Sequence, residues 1–367
     1  MRRPRLPSSK AKVNKLVRLL QGRRRALVLV HDNPDPDAMA AALCLSRLIE
    51  ALLPTKPRIV YGGAIGREDN RNMVRAIPIP LWPVENVEFS ADDAVIMVDT
   101  QPSFANHSLP ADTPVLAVVD HHALRRPLDA PLVDVRPTYG ASTTIGTEYL
   151  VSARVGIPRS LATAICYGIS TETQDLGREA APADMAAFLE AFPLADLPLL
   201  GRLQHPARSV SYFAELDRAL HVARVHDAVA VCHLGQIAGA ETAAEMADVL
   251  AGVEGANWVL CTGQFGGTLV MSVRTSDRDA RAAELLRSVI AGLGLAGGHG
   301  MIAGGGVKLM AGADPARLQL TLTRRFLDAL GYDPDVELKP LMGLPDVYAG
   351  DEPPKEGGGE DESSSDP

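Results

Sequence analysis

The sequence predicts an α/β protein in two parts: an N-terminal doubly wound, mainly parallel sheet, then a smaller C-terminal α/β domain. Three observations carry this expectation. Short runs at 26–30, 94–98 and 115–119, rich in Val and Ile and without helical spacing, read as buried strands. They alternate with segments of helical pattern, as a wound parallel sheet requires. A chain of 367 residues exceeds one ordinary core, and Pro193, Pro198 and Pro206 punctuate its middle.

The elements follow in order. Ser8 and Ser9 can cap a first helix running to about Leu20, with Val13, Leu16, Val17 and Leu20 on one face. With its basic flanks this makes an N-terminal segment over 1–25. After the strand at 26–30, a helix over about 38–53 starts directly behind an acidic loop. Its Ala38, Ala40, Ala41 and Ala42 permit close packing. Residues 58–61 form another short strand, ended by Gly62 and Gly63, and the runs ending at Asp99 and Asp120 come next. From Thr143 to about Phe192 the pattern is helical. The first domain is thus expected over 26–192, a linker over 193–221 and the second domain over 222–335. In the latter, strands near 228–234, 258–263 and 268–274 alternate with helices near 242–250 and 280–293. A glycine-rich loop from Gly297 to Gly306 and a helix near 315–330 close the body. Residues 350–367 are mostly Gly, Glu, Asp, Ser and Pro, cannot bury a core, and are expected to be disordered.

Composition narrows the function. Hydrophobic residues make up 46% of the chain and mean hydropathy is +0.04, as in globular proteins. No apolar stretch approaches the roughly 20 residues of a membrane helix, and the run behind Arg23-Arg24-Arg25 is too short for a signal peptide. A cytoplasmic location without membrane association is expected. Cys44, Cys166, Cys232 and Cys261 lie far apart in apolar stretches and read as buried free thiols. Residues 1–25 hold ten Lys/Arg and no acid, whereas the remainder is acidic. An acidic body argues against wide, sequence-independent binding of long nucleic acid. The basic segment reads as a solvated helix face, with contact to RNA or a membrane as the alternative.

The three buried runs each stop at residues able to bind metal. The first runs into His31, Asp35 and Asp37, the second into Asp99, the third into Asp120-His121-His122. Strands parallel in one sheet would bring these groups to one edge, where open α/β sheets bind ligands. Taken singly, Asp35 and Asp37 read equally well as a turn capping the next helix, and Asp99 as a loop-capping acid. Two imidazoles and an acid at a buried strand end, however, are costly unless paired or metal-bound. Many carboxylates, few imidazoles and no thiolate suit Mn²⁺, with Mg²⁺ as second choice. A carboxylate bridging two ions about 4 Å apart would clamp both oxygens of a phosphoryl displacement. Asp99, alone on the middle run, is the bridging candidate.

These residues resemble the DHH phosphoesterases, named for the Asp-His-His that stands here as Asp120-His121-His122. The likeness extends from about Leu27 to about Gly306. The first motif matches His31-Asp32-Asn33-Pro34-Asp35-Pro36-Asp37, the second Val98-Asp99-Thr100, and the fourth Gly168-Ile169-Ser170-Thr171-Glu172-Thr173. A C-terminal DHHA1 domain is matched by Arg274 and Gly297-Gly298-His299, with Ala303-Gly304 behind. The resemblance implies two Mn²⁺ ions, one held by His31, Asp35 and Asp99, the other by Asp37, Asp99, His121 and Glu172. It implies that His122 faces the substrate phosphate while Asp120 orients a histidine, and that Arg274, His299 and the glycines Gly297, Gly298 and Gly304 grip the far end of the substrate. By itself His299 reads as a histidine in an exposed turn. Two departures stand out. Glu172 replaces the usual Asp, so it is a longer ligand, a sign of a weakened site, or a neighbour of a participating Asp175. Arg125-Arg126 stands where the family often has an Asn-containing segment.

The resemblance is nearest to the stand-alone oligoribonuclease and 3′-phosphoadenosine 5′-phosphate phosphatase group. It implies a hydrolase whose partner is short RNA or a small phosphorylated nucleotide. A cyclic dinucleotide phosphodiesterase is the alternative within this chemistry, and a non-catalytic nucleotide-binding module the alternative outside it. A homodimer is expected from general frequency.

Overall fold

A computed structural model describes residues 5–343, apart from residues 67, 178, 179, 278 and 311 and the side chain of His299. The expected tail at 350–367 lies outside the described residues. The chain divides into two compact units, Met1–Ala207 and Arg208–Pro367.

The first unit runs α1 (Lys10–Leu20), β1 (Arg25–Leu29), α2 (Pro36–Leu52), β2 (Lys56–Tyr61), α3 (Glu68–Ala76), β3 (Leu81–Pro83), β4 (Asp93–Val98), β5 (Val115–Asp120), β6 (Leu132–Val135), α4 (Ser142–Ala153), α5 (Arg159–Thr173), α6 (Pro182–Ala191) and α7 (Leu197–Gln204). The sheet order is β3-β2-β1-β4-β5-β6, and every pairing is parallel. The order reverses between β1 and β4, which makes the C-terminal ends of these two strands the topological switch point where ligands bind. Apart from one charged end residue each, Arg25, Asp93 and Asp120, strands β1, β4 and β5 are apolar because both of their faces are covered. Val28, Ile96, Val98 and Val119 pack with the helices, while Leu27, Leu29, Met97 and Val118 pack on the opposite face. That second face differs from the expected helical covering. The connections after β4 and β5 are loops, and Phe89, Leu109 and Leu128 from irregular segments cover it.

Helix α2 lies close to α4 and α5 because small residues meet there. A Cβ on Gly146 would stand 2.7 Å from Cys44 Cβ, and one on Gly168 would stand 3.0 Å from Ala40 Cβ. Gly168, the first residue of the fourth motif, is therefore fixed by helix packing. Pro36 opens α2 at the position where a missing N–H costs nothing. Ser9 precedes α1, but its side chain does not cap it. The hydroxyl bonds Glu148 instead and accepts from Arg136 Nη2. Elements α3, β3 and β6 have no counterpart in the sequence reading, being short and without clear periodicity.

The second unit runs α8 (Val210–Val222), β7 (Arg224–His226), β8 (Val229–Gln236), α9 (Thr242–Leu250), β9 (Trp258–Phe265), β10 (Thr268–Thr275), α10 (Ala282–Val289), β11 (Leu295–His299), β12 (Ile302–Lys308), α11 (Pro315–Ala329) and β13 (Lys339–Pro340). Its seven strands are ordered β11-β12-β10-β9-β8-β7-β13, with β8 and β9 parallel and the other neighbours antiparallel. Alternation along β8 sends Val229 and Val231 to the core with α10 and α11, and Ala230 and Cys232 to the core with α8 and α9.

Within the stretch 193–221 lie α7 and most of α8, and the two units divide there, at Ala207/Arg208. Its Pro198 sits in the first turn of α7, where proline starts helices as readily as it breaks them. The second unit also reaches past residue 335, since β13 pairs with β7. Likewise the glycine-rich stretch is a β-hairpin, with Gly297 opposite Gly304 and Gly298 opposite Ala303. A Cβ on Gly298, whose φ is +141°, would stand 2.3 Å from the Ile302 carbonyl oxygen. Here glycine serves close strand approach, a use its clustering does not reveal. No helix among the described residues is long and apolar enough to cross a membrane.

Candidate metal centre

The strand ends deliver their groups as the parallel topology dictates. Asp35 is the N-cap of α2, and its two oxygens divide the work. Oδ1 accepts from Ala38 N at 2.9 Å, while Oδ2 lies 3.6 Å from His31 Nε2. The capping and ligand readings of Asp35 are thus compatible, one oxygen for each. Asp37 is fully buried, and its oxygens accept the Ser142 and Thr143 amides, both at 2.8 Å, at the start of α4. Asp99 is 2% exposed and adopts φ +58°, a left-handed conformation that costs a non-glycine residue about 1–2 kcal/mol. Its Oδ2 lies 3.5 Å from His31 Nε2, and its Oδ1 lies 3.5 Å from His121 Nε2 and 3.7 Å from His122 Nδ1.

Two groups of donors result: His31, Asp35 and Asp99, and Asp99, His121 and His122, the donor atoms of each within 4.8 Å of one another. Asp99 belongs to both. Asp37 adjoins the second group, with Oδ2 4.0 Å from His121 Nε2. Glu172, near the C-terminus of α5, is close enough that its charge raises the proton affinity of His31, His121 and Asp99. Asp175 is turned to Gln204, whose Nε2 donates to Oδ1 at 3.3 Å.

The imidazoles show what this arrangement lacks. His31 Nδ1 meets the Asp32 carbonyl at 2.9 Å and His121 Nδ1 meets the Tyr139 carbonyl at 3.2 Å. A carbonyl only accepts, so each Nδ1 carries a hydrogen, and each ring aims its Nε2 at carboxylates. His121 Nε2 is buried with no hydrogen-bond partner among the described residues. An Nε2 facing anionic oxygens at 3.5 Å is held there by positive charge, either a second proton on the ring or a cation between them. Donors about 2.1 Å from a divalent ion lie about 3–3.5 Å from each other, close to the spacings found here.

Electrostatics agree. Burial, then Asp37 and Asp35, push the Asp99 carboxyl well above the usual carboxylate range, and burial likewise raises Asp37. Burial alone would depress His31, but its contact with Asp35 outweighs this and lifts it to about 9. Asp35 is lowered because His31 outweighs its burial. So many buried acids retain their charge only beside positive charge. The residues present fit divalent cations.

A supporting layer holds the donors. Asp120, buried at the end of β5, accepts His122 Nδ1–H at 2.8 Å on Oδ1 and Gln101 Nε2 at 2.8 Å on Oδ2. Ser142 touches three donors: its hydroxyl donates to Asp99 Oδ1 at 2.8 Å and accepts His121 N–H at 3.2 Å, and its amide serves Asp37. Sequence reasoning missed Ser142 and Gln101. The Ser142-Thr143-Thr144 run at a helix start was a usable signal for the former; Gln101 carried none.

The residues expected to grip the far end of the substrate lie in the second unit. Arg274, on β10 and 7% exposed, donates through Nε to Asp248 and through Nη1 to Ser272 Oγ at 2.6 Å and the Val273 carbonyl at 3.0 Å. Gly297 and Gly298 sit on β11 and Gly304 on β12; the His299 side chain lies outside the described residues.

A parallel sheet with acids and imidazoles at its switch point defines an α/β protein with a candidate metal centre. Residues 25–169 match the DHH family, N-terminal domain. The match takes in every candidate ligand except Glu172. Over 276 residues, 74% of the chain, the sequence is 32% identical to the uncharacterized protein MJ1633 of Methanocaldococcus jannaschii, and it spans about half, 56%, of that relative's length. An exopolyphosphatase-related protein from Bacteroides fragilis shares the fold, with a TM-score of 0.69 at 14% identity over 88% of this chain and 96% of that one. RecJ from Thermus thermophilus, solved with Mn²⁺, gives 0.50 at 17% identity over 89% of this chain and 55% of that one.

Proposed function

We propose that the chain is a Mn²⁺-dependent phosphoesterase that hydrolyses short oligoribonucleotides and small phosphorylated nucleotides such as 3′-phosphoadenosine 5′-phosphate. The observation that carries the reading is Asp99, which belongs to two donor groups at the switch point of the sheet. In the proposed site His31, Asp35 and Asp99 hold one ion, and Asp99, His121, Asp37 and Glu172 hold the other. Such ions acidify water and neutralise charge on phosphoryl oxygens. The chain's own residues orient and support. Ser142 donates to the shared carboxylate and fixes its rotamer. Asp120 accepts the Nδ1–H of His122 and so orients the ring with Nε2 towards the substrate phosphate. Arg274, held by Asp248 and Ser272, and the hairpin residues Gly297, Gly298, His299 and Gly304 are proposed for the far end of the substrate.

The test is a hydrolysis panel in Mn²⁺ or Mg²⁺ with RNAs of about two to five nucleotides, 3′-phosphoadenosine 5′-phosphate, cyclic di-AMP and tripolyphosphate, with Asp99→Ala as control. Release of mononucleotides or adenosine monophosphate that vanishes in the control is expected. Turnover of tripolyphosphate alone, or activity retained by Asp99→Ala, overturns the reading.

A further inference from the structure

Beside His122 the first unit carries a stacked pair that the metal chemistry leaves unused. The Arg125 guanidinium lies 4.7 Å from the centroid of the Phe104 ring. That ring in turn meets the His122 imidazole edge-on, with centroids 6.0 Å apart. Phe104 is half-buried and Arg125 exposed. The loop holding Phe104 is tied down: Thr100 Oγ1 donates to Asn106 Oδ1 at 2.7 Å, Asp32 N donates to the Asn106 carbonyl at 2.7 Å, and Ser108 Oγ donates to Asp32 Oδ2 at 2.9 Å. Gln101 locks the same loop to Asp120 and to the His122 carbonyl.

An exposed cation–π pair is worth only about 0.5–1 kcal/mol, too little to explain an aromatic ring held at the rim of a charged site. Inorganic phosphate chains offer nothing that stacks on it. A nucleobase does, since aromatic rings and guanidinium planes both bind bases face to face.

We propose that Phe104 and Arg125 form a nucleobase-stacking subsite beside His122, which makes the substrate a phosphoester with an aromatic base next to the scissile phosphate. This rests on the phosphoesterase reading above and assigns the residues that hold the base of such a substrate. The readout is the ratio of kcat/KM for the dinucleotide pApA to that for the same ribose-phosphate backbone without bases. Phe104→Leu, which keeps apolar bulk and removes the π face, lowers this ratio about tenfold, as expected for one base stack. Arg125→Ala, on an exposed residue, lowers it in the same direction and stands in should Phe104→Leu fail to fold by circular dichroism. A ratio unchanged within twofold in the folded variants overturns the subsite, even if both rates fall together. If the unaltered protein hydrolyses neither compound, the phosphoesterase reading fails by itself. The subsite is then judged from the ratio of dissociation constants for the same two compounds in Ca²⁺, with the same tenfold and twofold limits.

Discussion

Both units bury charged and polar groups, but they settle them in opposite ways. In the second unit Arg274 meets Asp248, Ser272 and a carbonyl, while His233 sits between Thr262 Oγ1 at 2.8 Å and Thr323 Oγ1 at 2.9 Å. Each donor there has an acceptor from the protein itself. At the metal centre of the first unit Asp37, Asp99 and Asp120 are buried around imidazoles whose nitrogens face carboxylates, and His121 Nε2 has no partner among the described residues. Satisfied burial holds a fold together; unsatisfied burial is tolerated where a ligand completes it. The contrast implies that removing a polar group should raise or spare metal-free stability at the metal centre of the first unit and lower it at the paired groups of the second.

The largest effect tests the first half. Asp99→Asn should cut turnover about a thousandfold, the loss of roughly 4 kcal/mol of transition-state stabilisation. Its melting temperature without metal should equal or exceed that of the unaltered chain, and Mn²⁺ should no longer raise it. A metal-free variant that melts well below the unaltered chain would place Asp99 among structural acids and break the contrast. The second half is tested by Arg274→Ala, which leaves Asp248 without its partner. A buried pair broken from one side costs about 3–5 kcal/mol. The Asp248 side chain is 38% exposed, so about 2 kcal/mol is expected here, read from urea unfolding of the second unit. No loss of stability, together with lost activity, would assign Arg274 wholly to substrate binding.

A smaller effect sharpens the boundary between ligand and support. Ser142→Ala removes the hydroxyl shared by Asp99 and His121 but leaves the amide that serves Asp37. Mn²⁺ affinity should fall about 10- to 100-fold, measured by calorimetry, with the fold intact. Unchanged affinity would show that Asp99 holds its rotamer without help.

Ser142 also shows where the sequence stops being legible. The three apolar runs announced β1, β4 and β5 and the acids behind them, because a strand buried on both faces leaves a continuous signal. The positions of α2, α9 and α11 were legible from their helical pattern for the same local reason. What joins Ser142 to Asp99 spans 43 positions, and what joins Gln101 to Asp120 spans 19; no local pattern encodes such pairs. The β11–β12 hairpin was misread because Gly clusters mark loops more often than the narrow strand approach found at Gly298. Likewise α3 and β3 are too short for periodicity to speak.

The smallest effect comes from pH and again separates the units. Burial holds the His233 imidazole down at about 4, against 6.5 for an ordinary histidine. Between those values the unfolded chain binds a proton that the folded chain refuses, so stability rises with pH across this window. It is fully present above pH 6.5 and is lost as pH falls towards 4. From pH 7 to pH 5.5 the second unit should lose about 1 kcal/mol, read as a drop in its melting temperature. Replacing His233 by Asn, which keeps polar atoms near Thr262 but has no proton to gain, should flatten that slope whatever it does to stability at pH 7. If the slope survives in His233→Asn, the imidazole is not the group that resists protonation, and the second unit has burial left unsettled after all.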